Sequence, residues 1–131
     1  MVVLDTSAVL ASMNSRDAMH APVVQILEAE RHLVLPAGIL AEVTFMIDRR
    51  YGQAHVSRFM QSVLAGDLSV DWNFGDLSRV QSLMDRYADL PLGYADAAVI
   101  VCAERHGGRV LTLDHRRFGV VAREGRIQIL P

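Results

Sequence analysis

The sequence predicts an α/β fold, a three-layer α/β/α sandwich around a central, mostly parallel sheet. Short apolar runs alternate with longer stretches of helical period, the pattern of strands joined by helical crossovers. The first run, Val2-Val3-Leu4, is apolar at every position, as expected of a strand covered on both faces. Hydrophobic residues make up 51% of the chain and charged residues 21%, a balance that favours a buried core over disorder. At 131 residues the chain reads as a single domain, 1–131.

Each element follows from local signals. The first strand stops at Asp5-Thr6-Ser7, whose oxygen-bearing side chains suit a helix start continuing through Ala11. Pro22 fits the first turn of a second helix, with Val23, Ile26, Leu27 and Glu30 at helical spacing. Residues 32–35 read as a second strand. Pro36 is read as opening a third helix that runs to about Tyr51, with Gly52 as its stop. Its stripe is Ile39, Leu40, Val43, Met46 and Ile47. Val56, Phe59, Met60, Val63 and Leu64 mark a fourth helix ended by Gly66. Residues 68–72 alternate weakly as a strand, and Leu77, Val80, Leu83, Met84 and Tyr87 mark a fifth helix. A sixth covers about 93–106, closed by Gly107-Gly108. Residues 109–113 form a strand ending at Asp114, His115-Arg116-Arg117 reads as a turn, and 127–130 is the last strand.

Composition removes several functions. All 13 basic residues are Arg, so a Walker A loop, a Schiff-base lysine and a lysine-dependent phospho-acceptor site are excluded. An aspartate-nucleophile phosphotransferase would want a second Asp two residues after Asp5, where Ser7 stands. A formal charge of −2 is not that of a protein holding nucleic acid by overall charge. Cys102 is the single cysteine and sits in the apolar run 97–103, so it reads as core rather than as a thiol catalyst. His20, His32, His55, His106 and His115 show no HExxH spacing and read as surface or cap residues rather than zinc ligands. Asp5 breaks the N-terminal apolar run too early for a secretory signal, and no run approaches the roughly 20 apolar residues of a spanning helix. A cytoplasmic protein is expected.

Four acids carry the remaining information. Glu42 shares a helix face with Ile39 and Met46, where a charge must find a partner, meet a cation or lie at the margin of the stripe. Asp96 lies near the start of the sixth helix, where it offsets the positive helix end. Asp5 and Asp114 directly follow strands, at the sheet edge where α/β folds bind ligands. Taken singly, each is explained at least as well by capping, pairing or turn formation. Converging on one crevice they would repel, and a hard divalent cation, Mg²⁺ or Mn²⁺, would relieve that repulsion.

The ordered set resembles the PIN-domain ribonucleases, and the size is similar to VapC-type toxins of toxin–antitoxin pairs. Val3-Leu4-Asp5-Thr6-Ser7-Ala8, Glu42 in Leu40-Ala41-Glu42-Val43, Asp96-Ala97 and Leu111-Thr112-Leu113-Asp114 carry the resemblance. It implies a metal-dependent endoribonuclease, a toxin restrained by a cognate antitoxin protein, with Asp5, Glu42, Asp96 and Asp114 as both metal-binding and catalytic acids. Thr6 and Thr112 become supporting hydroxyls, although helix capping explains Thr6 equally well. Metal-assisted hydrolysis of RNA would leave a 5′-phosphate and a 3′-hydroxyl. Arg116 and Arg117 are candidate RNA phosphate contacts, as are Arg49 and Arg50 at the end of the third helix. The resemblance also implies a homodimer, and the short apolar runs imply no membrane partner. Val23, Ile26, Leu27, Phe59 and Val63 offer candidate contact faces for an antitoxin, and tRNA or rRNA is the expected substrate. The alternative is a non-catalytic binding module of the same fold whose acidic pocket grips a basic partner peptide.

Overall fold

The computed structural model describes residues 1–73 and 76–131. In chain order the elements are β1 (Val2–Leu4), α1 (Thr6–Ser12), α2 (His20–Ala29), β2 (Leu33–Pro36), a 3-10 turn (Ala37–Ile39), α3 (Leu40–Tyr51) and α4 (Gln53–Ala65). They continue with β3 (Ser69–Asp71), α5 (Leu77–Arg86), α6 (Tyr94–Arg105), β4 (Arg109–Leu111), α7 (His115–Arg123) and β5 (Gln128–Leu130). The five strands form one sheet in the order β3-β2-β1-β4-β5, and every pairing is parallel.

That order places the site. β1 is central, with Val2 and Val3 fully buried, and the chain leaves it first toward β2 and later returns beside it as β4. Right-handed crossovers therefore send α1–α4 to one face and α5–α7 to the other. The connections diverge between β1 and β4, which opens a crevice at the carboxyl ends of those strands. α6 lies across β1, β2 and β4 and contributes a fully buried run at Val99 and Ile100. No helix among the described residues is long and apolar enough to cross a membrane.

Two elements differ from the sequence expectation. Pro36 ends β2 instead of opening α3, because its ψ of 133° keeps the chain extended; the 3-10 turn intervenes. Within that turn Gly38 lies so close to α6 that a Cβ there would come 3.2 Å from the Ala98 Cβ. The second difference is α7, expected only as a turn. Asp114 caps it by accepting from the Arg117 backbone N–H at 3.1 Å, and Phe118 and Val121 anchor it in the core. Gly52 and Gly66 do end or separate helices, at φ of 92° and 85°, a region open to glycine at little cost. Val23 and Phe59, offered above as contact residues, are instead core.

Candidate metal centre

Asp5 leaves the end of β1 and is held there by its own N–H, which donates to the Leu111 carbonyl of β4 at 3.0 Å. Its side chain is 7% exposed. The hydroxyls of Ser7 and Thr112 both donate to its Oδ2 at 2.8 Å. The same two hydroxyls accept backbone N–H groups from the segment after β4, Ser7 from Leu113 across the crevice at 2.9 Å and Thr112 from Asp114 two residues on at 3.0 Å. The ends of β1 and β4 are thus stitched together around one carboxylate, which sets Asp114 beside Asp5.

Glu42 lies in the first turn of α3. The buried stripe of this helix runs through Val43 and Ile47, so Glu42 stands at its margin, exposed to solvent, with its Oε2 accepting from the Thr6 hydroxyl at 2.6 Å. Thr6 therefore caps no helix; its hydroxyl is directed at a carboxylate. Asp96 occupies the first turn of α6 and accepts from the Gly93 N–H at 3.2 Å, so it serves as a cap as well as facing the crevice.

All four acids line one cleft of about 330 Å³, together with Thr6, Ser7, Asp17, Arg50 and Arg117. Asp17 lies in the turn after α1, where its Oδ1 accepts the Met19 N–H at 2.8 Å. Nothing in its sequence context separates it from an ordinary turn acid. Arg116 is exposed and does not line the cleft, whereas Arg117 does. Its Nη1 lies 3.2 Å from Asp114 Oδ2 and its Nε 3.9 Å from Asp96 Oδ2. That Nε is buried without a hydrogen-bond partner.

The electrostatics are those of crowded carboxylates. Burial pushes the Asp5 carboxyl above its usual range despite the hydroxyls of Ser7 and Thr112, and the Glu42 charge adds to the effect. Burial likewise raises Asp96, with the charges of Asp5 and Asp114 contributing and Arg117 opposing. Among the described residues no three of these acids bring ligand atoms within 4.8 Å of one another. A cation here would be held at wider spacing, partly through water. An all-oxygen donor set with excess negative charge fits Mg²⁺ or Mn²⁺, ions that retain several waters.

Comparison with known proteins identifies the family and the fold. The PIN domain family model matches residues 2–124. The chain is 27% identical to Ribonuclease VapC26 of Mycobacterium tuberculosis over 135 aligned positions, covering 99% of this chain and all of that one. The crystal structure of Mycobacterium tuberculosis VapC20, described as a sarcin-ricin loop cleaving toxin, superposes with a TM-score of 0.81 at 19% identity and full coverage of both chains. The structure of FitAcB from Neisseria gonorrhoeae gives 0.68 at 16% identity, covering 100% of this chain and 97% of that one. With the family model spanning nearly every element and the fold shared, the chain belongs to the PIN-domain family.

Proposed function

We propose that the protein is a metal-dependent endoribonuclease, the toxin of a toxin–antitoxin pair, in which Asp5, Glu42, Asp96 and Asp114 hold Mg²⁺ or Mn²⁺. The observation that carries this reading is the delivery of four carboxylates, from two strand ends and two helix starts, into one cleft. Family membership and the likeness to Ribonuclease VapC26 support ribonuclease activity. A divalent ion bound there would supply a lowered water pKa and charge neutralisation at the phosphoryl group.

The protein's own part is positioning. Ser7 and Thr112 fix the Asp5 carboxylate from behind and Thr6 fixes Glu42, so these acids present oxygens in set directions. Arg117 supplies a planar cation beside Asp96 and Asp114, suited to a phosphate oxygen once substrate enters. Arg50 lines the same cleft and extends that positive margin. With a net charge of −2, RNA attraction rests on these local groups, which favours a structured tRNA or rRNA loop over indiscriminate binding. An antitoxin segment would find exposed apolar side chains at Phe45 on α3 and Leu64 on α4, 60% and 84% exposed. A cytoplasmic homodimer, one domain per chain, completes the reading.

The test is cleavage of total RNA by the purified protein with Mg²⁺ or Mn²⁺, with chelator and Asp5→Asn as controls. The proposal expects metal-dependent cuts bearing 5′-phosphate ends that vanish in the variant. Cyclic 2′,3′-phosphate ends would reject metal–water hydrolysis. No cleavage alongside retained partner binding would favour the binding-module alternative.

A further inference from the structure

A second cluster of ligand-type side chains lies away from the acidic cleft. Cys102 and His106 stand four residues apart at the C-terminal end of α6, one turn from each other on the same face. Asp71 closes the edge strand β3 opposite them. Its Oδ2 is 3.5 Å from Cys102 Sγ and 2.8 Å from His106 Nε2, and the three ligand atoms lie within 4.8 Å of one another. We propose that Asp71, Cys102 and His106 bind a borderline-soft divalent cation of the Zn²⁺ class, independently of the acidic cleft.

The donor chemistry separates the two sites. One sulfur, one imidazole nitrogen and one carboxylate oxygen suit Zn²⁺ and disfavour Mg²⁺. Three protein ligands leave a fourth position for water. β3 is two strands from β1, roughly 10 Å at the usual strand spacing, and none of the three residues lines the acidic cleft. Access runs past His106, whose side chain is 28% exposed, while Cys102 is 1% exposed.

The surroundings support the carboxylate in either state. Asp71 Oδ1 accepts from the Asn73 N–H at 2.9 Å, which aims Oδ2 at the helix. Arg105 meets Oδ2 at 2.6 Å and also pairs with Asp76, so it keeps a partner when the cation takes that oxygen. Burial and the Asp71 charge hold the Cys102 thiol protonated without metal. Binding therefore forms the metal–sulfur bond as the thiol gives its proton to solvent, and affinity rises with pH. A bound ion would tie the sheet edge to the end of α6.

Titrating the full chain with Co²⁺ and reading near-ultraviolet absorption tests this. The expected result is a thiolate-to-cobalt charge-transfer band saturating at one equivalent, displaced by Zn²⁺ and unchanged in Asp5→Asn. Cys102→Ser should abolish the band, and His106→Gln should weaken Zn²⁺ binding by about tenfold or more. Because Cys102 is a core residue, His106→Gln provides the second reading: circular dichroism confirms its fold, and the Zn²⁺-induced rise in melting temperature should disappear. A Co²⁺ titration lacking the band, or a Zn²⁺ effect retained in His106→Gln and lost in Asp5→Asn, would overturn the proposal.

Discussion

Thr112 donates its hydroxyl to Asp5 across a sequence separation of 107 residues, at 2.8 Å, and accepts the backbone N–H of Asp114 through the same oxygen. One fully buried side chain thereby fixes two of the cleft acids relative to each other. Thr112→Val keeps the shape but removes both bonds. It should cost about 1–3 kcal/mol by leaving buried polar atoms unpaired and lower RNA cleavage by roughly 10–100-fold. Thr112→Ser should restore most of both, as measured by urea denaturation and single-turnover cleavage.

The raised Asp5 carboxyl gives a signed pH dependence. Its folded-state pKa exceeds the unfolded value near 4, so its contribution to stability is full below that value. The contribution is lost as pH rises through the folded pKa. Metal-free Asp5→Asn should therefore melt higher than wild type at pH 7, by roughly 2–6 °C, the shift that about 1 kcal/mol produces in a chain of this size. Calorimetry should find the gap closing toward pH 4, and Mg²⁺ should narrow it at pH 7 by stabilising wild type alone.

Asp71 has the opposite sign. Burial alone would raise its carboxyl, but bonds from Arg105 and His106 outweigh that and hold it well below the usual range. Its contribution is present above about pH 4 and fades as pH falls through the lowered folded value. Asp71→Asn should cost about 1–3 kcal/mol at pH 7, and the difference from wild type should shrink in acid unfolding curves below pH 4.

Phe118 is fully buried one residue after Arg117, and it anchors α7 to the core. Phe118→Ala should cost about 3–5 kcal/mol and loosen the helix start on which Asp114 and Arg117 are mounted. Hydrogen exchange should show lost protection at the Arg117 amide, whose bond to Asp114 caps that helix.

Gly38 tests the spacing between α3 and α6. A methyl group there meets the Ala98 Cβ at 3.2 Å and the Tyr94 hydroxyl at 3.3 Å, and the Ala98 contact belongs to a packed helix. Gly38→Ala should cost roughly 1–3 kcal/mol and move Glu42 away from Asp96, which thermal melts and metal affinity would report together.

Most of the sheet and its crossovers were legible in the sequence because apolar runs and glycine stops are local signals. So was the placing of Asp5 and Asp114 at the carboxyl edge of the sheet, since both directly follow strands. Helix α7 was hidden because its polar start, His115-Arg116-Arg117, resembles a turn and Gly119 interrupts its period. The cross-strand partners of Ser7 and Asp71 were invisible for a different reason. Their neighbours are decided by strand order, and no local pattern distinguishes a hydroxyl aimed at a carboxylate from one aimed at water. The apolar neighbours of Cys102 place it in the core, where it lies, yet its four-residue spacing to His106 has meaning only beside the end of β3.

Because β1 is fastened to β4, the cleft cannot form before β4 and Asp114 have been made. A nascent chain that has made Asp5 still lacks Thr112, 107 residues further on, and Asp114 beyond it. Long-range closure of this kind makes assembly late and cooperative. The four-carboxylate cleft is thereby withheld from the chain until β4 has emerged and folded against β1.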